Sequence, residues 1–329
     1  MGKKRAGFSG LGRFVQSLQD PVQHSESNPH ERPSQPQDRP AKKRKISETP
    51  AEDVASLTWV KKYDMTGLVP HYTSPEEVPE ALRKYFFQRT RFFSLYSTPP
   101  GCLMDEEGWY SVTPELIADQ IAERCRCDTI LDAFCGVGGN AIAFAKTCQR
   151  VIALDTSPTR LALARHNAQI YGVAHHIEFI LSDYITFAKS YTSRSSANSK
   201  RKIDVVFLSP PWGGPSYISN TPPNENGPKE VVEADTDTDT HPAYSLSSIQ
   251  PIHGAELFNL SRRITPNIAY YLPRNTDLSE VGALLEDPKN LVGDVKEYVE
   301  VEEEWMGNKL KALTCYFGGL VTGQEELFE

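Results

Sequence analysis

The fold of this chain is decided by the stretch Thr129–Asn140, whose sequence is TILDAFCGVGGN. Its first half is an apolar run that suits a buried strand. The glycine-rich turn that follows leads into small residues that predict a helix up to Lys146. Glycines allow a tight turn and a close approach of a ligand to the backbone. The next apolar run, Val151–Leu154, ends in Asp155, whose carboxylate can accept hydrogen bonds from ribose hydroxyls. The pattern predicts a strand–turn–helix unit that binds a nucleoside-containing cofactor.

The glycine spacing alone leaves the cofactor open, because Gly136-x-Gly138-x-x-Ala141 also fits a dinucleotide fingerprint. Asp132 favours S-adenosylmethionine, since a carboxylate before the turn suits an ammonium and a sulfonium better than a pyrophosphate. The chain also offers groups for amine methylation and none for hydride transfer. A turn without any ligand is the third alternative. Asp183 follows the next predicted strand, where it can contact an adenine or cap the following helix.

Outside this unit, strand-like and helix-like segments alternate along the chain. Pro158 opens a predicted helix that continues through Tyr171. The remaining apolar runs predict four more strands, at Ile177–Leu181, Ile203–Leu208, Asn267–Leu272 and Lys311–Phe317. Alternating elements of this kind form a parallel sheet that helices cover on both faces. The sequence therefore predicts an α/β fold with a doubly wound, Rossmann-like sheet.

A second motif follows the strand Ile203–Leu208 and has the sequence Ser209-Pro210-Pro211-Trp212. Consecutive prolines end a strand, and this exit lies at the carboxyl edge of the predicted sheet. The exocyclic amine of a purine is a poor nucleophile because its lone pair is delocalised into the ring. The Ser209 side chain and the Pro210 carbonyl can accept its hydrogens, while Trp212 stacks on the base. The alternative is a rigid turn with Trp212 in the core.

Composition divides the chain into three parts. Residues 1–56 are rich in Pro, Ser, Gln and charge and are predicted to be a disordered basic tail. Residues 57–110 predict a helical extension with one helix over Pro79–Phe93, and residues 111–329 predict the catalytic domain. Thr113 and Pro114 predict the cap and first position of another helix. Residues 219–241 predict a flexible acidic insertion within the domain.

Charge and cysteine usage narrow the function classes. Residues 1–50 hold ten Lys and Arg against five Asp and Glu, so the net charge of −8 conceals an acidic body. An acidic body argues against coating of long nucleic acid. The cluster Lys42–Lys45 predicts a nuclear import signal or a solvated tail. No apolar run is long enough to span a membrane, and the cysteines lack zinc-site spacing, so we expect reduced thiols and no metal.

Several stretches together resemble the trimethylguanosine synthases, which hypermethylate the caps of small nuclear and nucleolar RNAs. The matching stretches are Glu107–Glu115, Asp132–Asn140, Val205–Pro215, Leu272–Asn275 and Asn308–Lys311, together with the helix near Lys84. The resemblance covers about residues 57–329 apart from the insertion. It implies a methyltransferase sheet with an antiparallel last strand and a small N-terminal helical lobe over the cap. It also implies a nuclear, nucleolar or partly cytoplasmic enzyme that acts on 7-methylguanosine-capped RNA, with small RNP proteins as possible partners.

The resemblance also assigns roles to individual residues. The cofactor would be held by Ser111, Thr113, Asp132, Gly136, Asp155 and Asp183. Trp212 would stack on the methylated guanine, with Ser209 and Pro210 at the amine. The cap phosphates would contact Lys84, Tyr217 and Arg274, joined by Lys309 or Lys311. A salt bridge at the end of a strand is the alternative for Arg274, and a solvated helix face is the alternative for Lys84.

Two other functions remain open at this point. The chain could methylate a guanine within ribosomal or transfer RNA, or it could bind caps without catalysis. Methyl transfer to free 7-methyl-GTP separates the first from cap methylation. Binding of S-adenosylmethionine separates the second from an enzyme.

Overall fold

The computed structural model describes residues 60–194, 202–213, 242–286 and 297–321. Its centre is a seven-stranded sheet with the strand order β3-β2-β1-β4-β5-β7-β6. The strands are β1 (Thr129–Asp132), β2 (Arg150–Asp155), β3 (Ile177–Leu181), β4 (Val205–Leu208), β5 (Ile268–Pro273), β6 (Val299–Met306) and β7 (Lys309–Phe317). The first five are parallel, β7 is antiparallel to β5, and β6 is antiparallel to β7. The predicted doubly wound sheet is confirmed, and so is its antiparallel last strand.

Helices cover both faces of the sheet. They are α1 (Glu80–Phe86), α2 (Arg89–Phe92), α3 (Glu106–Ser111), α4 (Glu115–Arg124), α5 (Gly139–Thr147), α6 (Pro158–Ile170), α7 (Tyr184–Arg194), α8 (Gly254–Arg262) and α9 (Leu278–Ala283). One apolar cluster joins one face to the N-terminal segment and to α4, α5 and α6. The other cluster joins the opposite face to α7, α8 and α9. Neighbouring strand residues alternate between the two clusters, because successive side chains of a strand point to opposite faces.

The strand order reverses between β1 and β4. From β1 the chain proceeds outward through β2 and β3, and the sheet then continues on the other side through β4 and β5. The register pairs Asp132 at the end of β1 with Phe207 of β4. The loops after these two strands therefore leave the sheet side by side at its carboxyl edge. In open α/β sheets such a reversal creates the crevice that binds ligands.

The segment that precedes α4 is held to the sheet by buried polar side chains of α6. His166 is fully buried, and its Nδ1 accepts the Met65 amide hydrogen at 3.1 Å. Its Nε2 lies 2.9 Å from the Gly101 carbonyl oxygen, to which a neutral ring donates. Burial lowers the pKa of His166, which favours this neutral form. The histidine thus bonds two backbone segments of the lobe at once.

Two more side chains of α6 complete this attachment. Gln169 Oε1 accepts the Val60 amide hydrogen at 2.7 Å. The Asn167 amide accepts from the Leu103 N–H at 2.8 Å and donates to the Leu103 and Val137 carbonyls at 2.9 and 3.0 Å. Since Val137 belongs to the glycine-rich turn, Asn167 links the lobe directly to that turn.

Three details differ from the sequence-based expectations. The predicted helix over Pro79–Phe93 is wrong as one unit: it divides into α1 and α2, because the backbone leaves the helical region at Gln88. Helix α4 starts one residue later than predicted, with Pro114 as its extended N-cap. Strand β6 was not predicted at all. Val299 and Val301 alternate with glutamates, but Glu302–Glu304 interrupt this apolar period. The edge strand pairs with β7 along its length, and Arg124 pairs with its Glu300 at 2.8 Å.

No helix in the described ranges combines the length and the hydropathy that crossing a bilayer requires. The tail of residues 1–56, the insertion of residues 219–241 and Tyr217 lie outside the described residues.

Candidate active site

The glycine-rich turn between β1 and α5 is shaped by two left-handed residues. Gly136 has φ 52° and Gly138 has φ 94°. A Cβ at Gly138 would lie 3.0 Å from the Ala164 Cβ, so this glycine allows α6 to approach closely. A Cβ at Gly136 would meet no atom within 4 Å, so its face of the turn is open. The turn therefore packs tightly on one side and leaves room for a ligand on the other.

Asp132 is the most unusual group at this turn. Its carboxyl is fully buried, and Oδ1 accepts only a long hydrogen bond of 3.4 Å from the Phe134 amide. Among the described residues, Oδ2 is buried with no hydrogen-bond partner. Burial, together with the charge of Asp155, raises the pKa of Asp132 to about 7. A buried carboxyl with an unsatisfied oxygen is costly, and a cationic ligand group would offset that cost.

Asp155 ends β2 beside the turn. Its Oδ2 accepts the Gly136 amide hydrogen at 3.1 Å, and its Oδ1 accepts the Ser157 amide hydrogen at 2.7 Å. Each carboxylate oxygen retains a second acceptor position. The backbone thus fixes the orientation of Asp155 and leaves capacity for two hydroxyl donors. Burial raises the pKa of Asp155, against these hydrogen bonds, which lower it.

The other predicted cofactor residues occupy different settings. Thr113 is buried, and its Oγ1 accepts a hydrogen bond from Asn140 Nδ2 at 2.9 Å, which holds it against α5 next to the turn. Ser111 is exposed and donates to the Glu107 carbonyl at 2.8 Å. Asp183 Oδ1 accepts the Thr186 amide hydrogen at 2.8 Å and so caps α7. The capping role left open for Asp183 is therefore present, while its contact with adenine stays a prediction.

The Ser-Pro-Pro-Trp motif follows β4 at the same edge of the sheet. Pro210 is buried, Ser209 and Trp212 are partly buried, and Pro211 is exposed. The Trp212 ring packs on Tyr271 of β5, with centroids 5.2 Å apart and planes inclined by 31°. Because Trp212 lies at the border of both apolar clusters, it is anchored by the core without being part of the fully buried set.

Cations collect at the far end of this edge. The register of Pro273 with Ala312 brings Arg274, just after β5, beside Lys311 of β7. Burial, and then the charges of Lys309, Arg274 and Arg91, lower the pKa of the partly buried Lys311. Within the described ranges, Arg274, Lys311 and Arg91 form no ion pair, so the strand-end salt bridge considered for Arg274 is absent. We call Arg91, Arg274, Lys309 and Lys311 the cation cluster.

Lys84 lies on α1 with its Nζ 5.1 Å from the Tyr85 ring centroid. It is exposed, and no described contact joins it to the cation cluster. Its predicted role at the phosphates stays a prediction, as does that of Tyr217.

Sequence reasoning missed Asn140, Asn167 and Arg91. The two asparagines stand among small or apolar residues of α5 and α6, and we interpreted those helices from their apolar residues alone. A polar residue on the apolar side of a helix was the signal in the sequence that could have found them. Arg91 falls within the helix predicted over Pro79–Phe93, but nothing in the sequence indicated that it would approach Lys311 of β7.

Comparison with known proteins decides among the functions that this site allows. The model of the family described as RNA cap guanine-N2 methyltransferase matches residues 127–223 and 237–320, which is more than half of the chain.

The chain belongs to this family.

Two curated relatives agree with this membership of the RNA cap guanine-N2 methyltransferase family. Trimethylguanosine synthase of Schizosaccharomyces pombe is 35% identical over 245 residues, which are 73% of this chain and 87% of the relative. Trimethylguanosine synthase of Saccharomyces cerevisiae is 33% identical over 206 residues, which are 61% of this chain and 57% of that longer relative. The family resemblance stated from the sequence is confirmed.

A solved structure supports the fold. A protein from Porphyromonas gingivalis W83 that is described as a methyltransferase superposes with a TM-score of 0.51. Its sequence is 11% identical, and the match covers 83% of this chain and 59% of that one. At this identity the likeness concerns the fold alone. Within the described residues, no group of three or more metal-ligating side chains is present.

Proposed function

We propose that this methyltransferase transfers methyl groups from S-adenosylmethionine to the exocyclic 2-amino group of a 7-methylguanosine cap, giving 2,2,7-trimethylguanosine. The observation that carries the proposal is the register of Asp132 with Phe207. Ser209, the first residue of the Ser-Pro-Pro-Trp motif, follows Phe207 by two positions. The motif therefore begins close to the buried Asp132 carboxyl at the end of β1. A cofactor site and an amine site thus share one crevice.

The residues around the glycine-rich turn fit S-adenosylmethionine. The unsatisfied oxygen of Asp132 suits a cationic group, and the open face at Gly136 gives a ligand access to the backbone. The fixed carboxylate of Asp155 suits two ribose hydroxyls. When bound, S-adenosylmethionine supplies the methyl group. Thr113 and Ser111 are proposed at its amino-acid end and Asp183 near its adenine.

On the substrate side, the chain positions an amine and needs no strong base. Trp212 stacks on the guanine, while Ser209 Oγ and the Pro210 carbonyl accept the amine hydrogens. Pro211 has no amide hydrogen to compete for those acceptors. These contacts hold the amine lone pair toward the methyl donor. A bimolecular step between correctly oriented groups becomes effectively unimolecular, and this accounts for a large part of the rate enhancement. The anchoring of Trp212 on Tyr271 supports a preformed stacking platform.

A methyl group at position 7 favours this reaction in two ways. It makes the base cationic, and cation–π attraction of ~0.5–2 kcal/mol favours stacking on Trp212 by roughly 2- to 30-fold. It also acidifies the neighbouring ring N–H, and loss of that proton returns electron density to the exocyclic amine. The second effect acts on the chemical step, so the two multiply.

The cap's phosphates are proposed to meet the cations at the far end of the crevice. Arg274 and Lys311 form no ion pair within the described residues, and Lys311 is partly buried, so an anion there would find strong, poorly hydrated donors. The proposed substrates are the 7-methylguanosine caps of small nuclear and nucleolar RNAs, with small RNP proteins as further partners.

A product assay by mass spectrometry tests the proposed function. The protein is incubated with S-adenosylmethionine and either 7-methyl-GTP or GTP at saturating cofactor. We expect gains of one and then two methyl groups on 7-methyl-GTP, and turnover on GTP lower by more than the ~30-fold that stacking alone explains. Comparable rates on the two would favour a general guanine methyltransferase. Cap binding without any product would favour a binding module.

The basic tail is proposed to direct the enzyme to the nucleus and nucleolus, with some protein remaining in the cytoplasm. The cluster Lys42–Lys45 motivates this proposal. Deletion of residues 1–50 should leave turnover on 7-methyl-GTP unchanged and should reduce nuclear enrichment in fluorescence microscopy. Unchanged enrichment of the truncated protein would refute the import role.

A further inference from the structure

The hairpin of β6 and β7 carries an exposed aromatic side chain that the proposed cap site does not use. Trp305, near the end of β6, has 50% of its surface exposed. Its indole Nε1 donates to Glu303 Oε2 at 3.0 Å, which restrains the ring. A half-exposed indole presents a ring face to solvent, and aromatic side chains are the platforms on which nucleic-acid bases stack.

Trp305 lies next to the cation cluster in the sheet. It pairs with Leu310, whereas Glu304 pairs with Ala312, so Lys311 is the extra residue of a bulge directly opposite. A bulge turns the local strand and changes where a side chain points. The extra residue of this bulge, Lys311, is itself a member of the cation cluster, so the bulge joins that cluster to the strand position opposite Trp305.

The order of these groups along the edge is the key observation. Trp212 packs on Tyr271 of β5, Arg274 follows β5, Lys311 is in β7, and Trp305 is in β6. Since β5, β7 and β6 are consecutive neighbours, the backbones at Arg274 and Trp305 are separated by two strand spacings, about 10 Å. A capped RNA presents the same order of chemistry: the cap guanine, the triphosphate bridge and then the base of the first transcribed nucleotide.

We propose that Trp305 stacks on the base of the first transcribed nucleotide of the capped RNA. The proposal rests on the proposed function, because it requires the cap guanine at Trp212 and the triphosphate at the cation cluster. The Glu303 carboxylate beside the indole disfavours a phosphate there and tolerates an uncharged base. Stacking on an aromatic ring is tolerant of sequence, so this contact would favour RNA over a free cap without selecting one RNA.

Steady-state kinetics with two substrates tests the proposal. Wild type and Trp305→Ala are compared on 7-methyl-GTP and on a short RNA that bears a 7-methylguanosine cap. For Trp305→Ala we expect KM on the capped RNA to rise roughly 5- to 150-fold, the range typical of a lost base–aromatic stack, and KM on 7-methyl-GTP to change less than twofold. Trp305→Phe should restore most of the RNA affinity.

The controls separate this proposal from its foundation. Tyr298→Ala removes an aromatic side chain that is 63% exposed just before β6, at the opposite end of the strand, and should leave both substrates unaffected. If wild type methylates 7-methyl-GTP but Trp305→Ala acts normally on both substrates, the stacking proposal is wrong and the cap function stands. Equal losses on both substrates would assign Trp305 to folding and would also refute it. Failure of wild type on 7-methyl-GTP would reject the cap function itself.

Discussion

The crevice is acidic at one end, beside β1 and β2, and cationic at the other, beside β5 and β7, and the charged side chains of the two ends differ in their partners. At the ends of β1 and β2, carboxyl groups are buried and oriented by backbone amides, as at Asp155. Where β5 ends and β7 begins, the cationic side chains of Arg274 and Lys311 are partly buried and form no ion pair within the described residues. The first end suits a small cationic ligand that is enclosed, and the second suits a larger anionic one that extends out of the site. A net charge of −8 reveals neither.

The cationic end should show the larger effect of a single substitution. Arg274→Ala and Lys311→Ala each remove a charge-assisted contact of ~1.5–3 kcal/mol, so KM for 7-methyl-GTP should rise roughly 10- to 150-fold. Affinity for S-adenosylmethionine should stay within twofold. Lys189→Ala, an exposed lysine on α7, is the matched control and should change neither. Equal weakening of both ligands by Lys311→Ala would mean that the two ends are not separate sites.

The acidic end should respond to pH. The pKa of Asp132 is raised to about 7 in the protein without cofactor, and a cationic cofactor binds best to the ionised carboxylate. Below pH 7 binding must therefore release a proton, and affinity for S-adenosylmethionine should fall by up to tenfold per pH unit. Calorimetry between pH 6 and pH 8, in buffers of different ionisation enthalpy, measures both quantities. Asp132→Asn should bind S-adenosylmethionine weakly, with an affinity that does not depend on pH in this range. The same pH dependence in this variant would mean that a group other than Asp132 releases the proton.

The attachment of the lobe should show the smallest effect. The folded-state pKa of His166 is lowered, so the unfolded chain binds more protons than the folded one as pH falls below the ordinary histidine range. The contribution of neutral His166 to the free energy of unfolding is complete above about pH 6.5 and is lost on acidification, by up to about 1.4 kcal/mol for each unit by which folding lowers the pKa. Urea denaturation at pH 7 and pH 5 measures this loss. His166→Gln should reduce it, and an unchanged loss would exclude His166 as its source.

The sequence predicted the acidic end better than the cationic end, for a physical reason. The residues around Gly136 are contiguous, and their conformations follow from local glycine and strand preferences. The cation cluster joins Arg91, Arg274 and Lys311 from three separate parts of the chain, and only the sheet order brings them together.

Long-range polar contacts were beyond local prediction for the same reason. Asn167 and Leu103 are 64 positions apart, and the Cys127 and Cys148 sulfurs lie 3.8 Å apart although 21 positions separate them. Strand β6 was missed because Glu302–Glu304 interrupt its alternation of valines, while the partner of Glu300 is Arg124 on a helix distant in sequence. Periodicity reports the burial of apolar side chains and carries no information about such partners.

Calorimetry on two variants and two ligands tests the central claim most directly. Trp212→Ala should weaken 7-methyl-GTP binding roughly 5- to 150-fold, the loss of ~1–3 kcal/mol of stacking, and should leave S-adenosylmethionine affinity nearly intact. Asp132→Ala should give the opposite pattern, with cofactor affinity reduced roughly 10- to 150-fold. Loss of both affinities in each variant would contradict the account, because it would make Trp212 and Asp132 supports of one shared core instead of contacts in two separate sites.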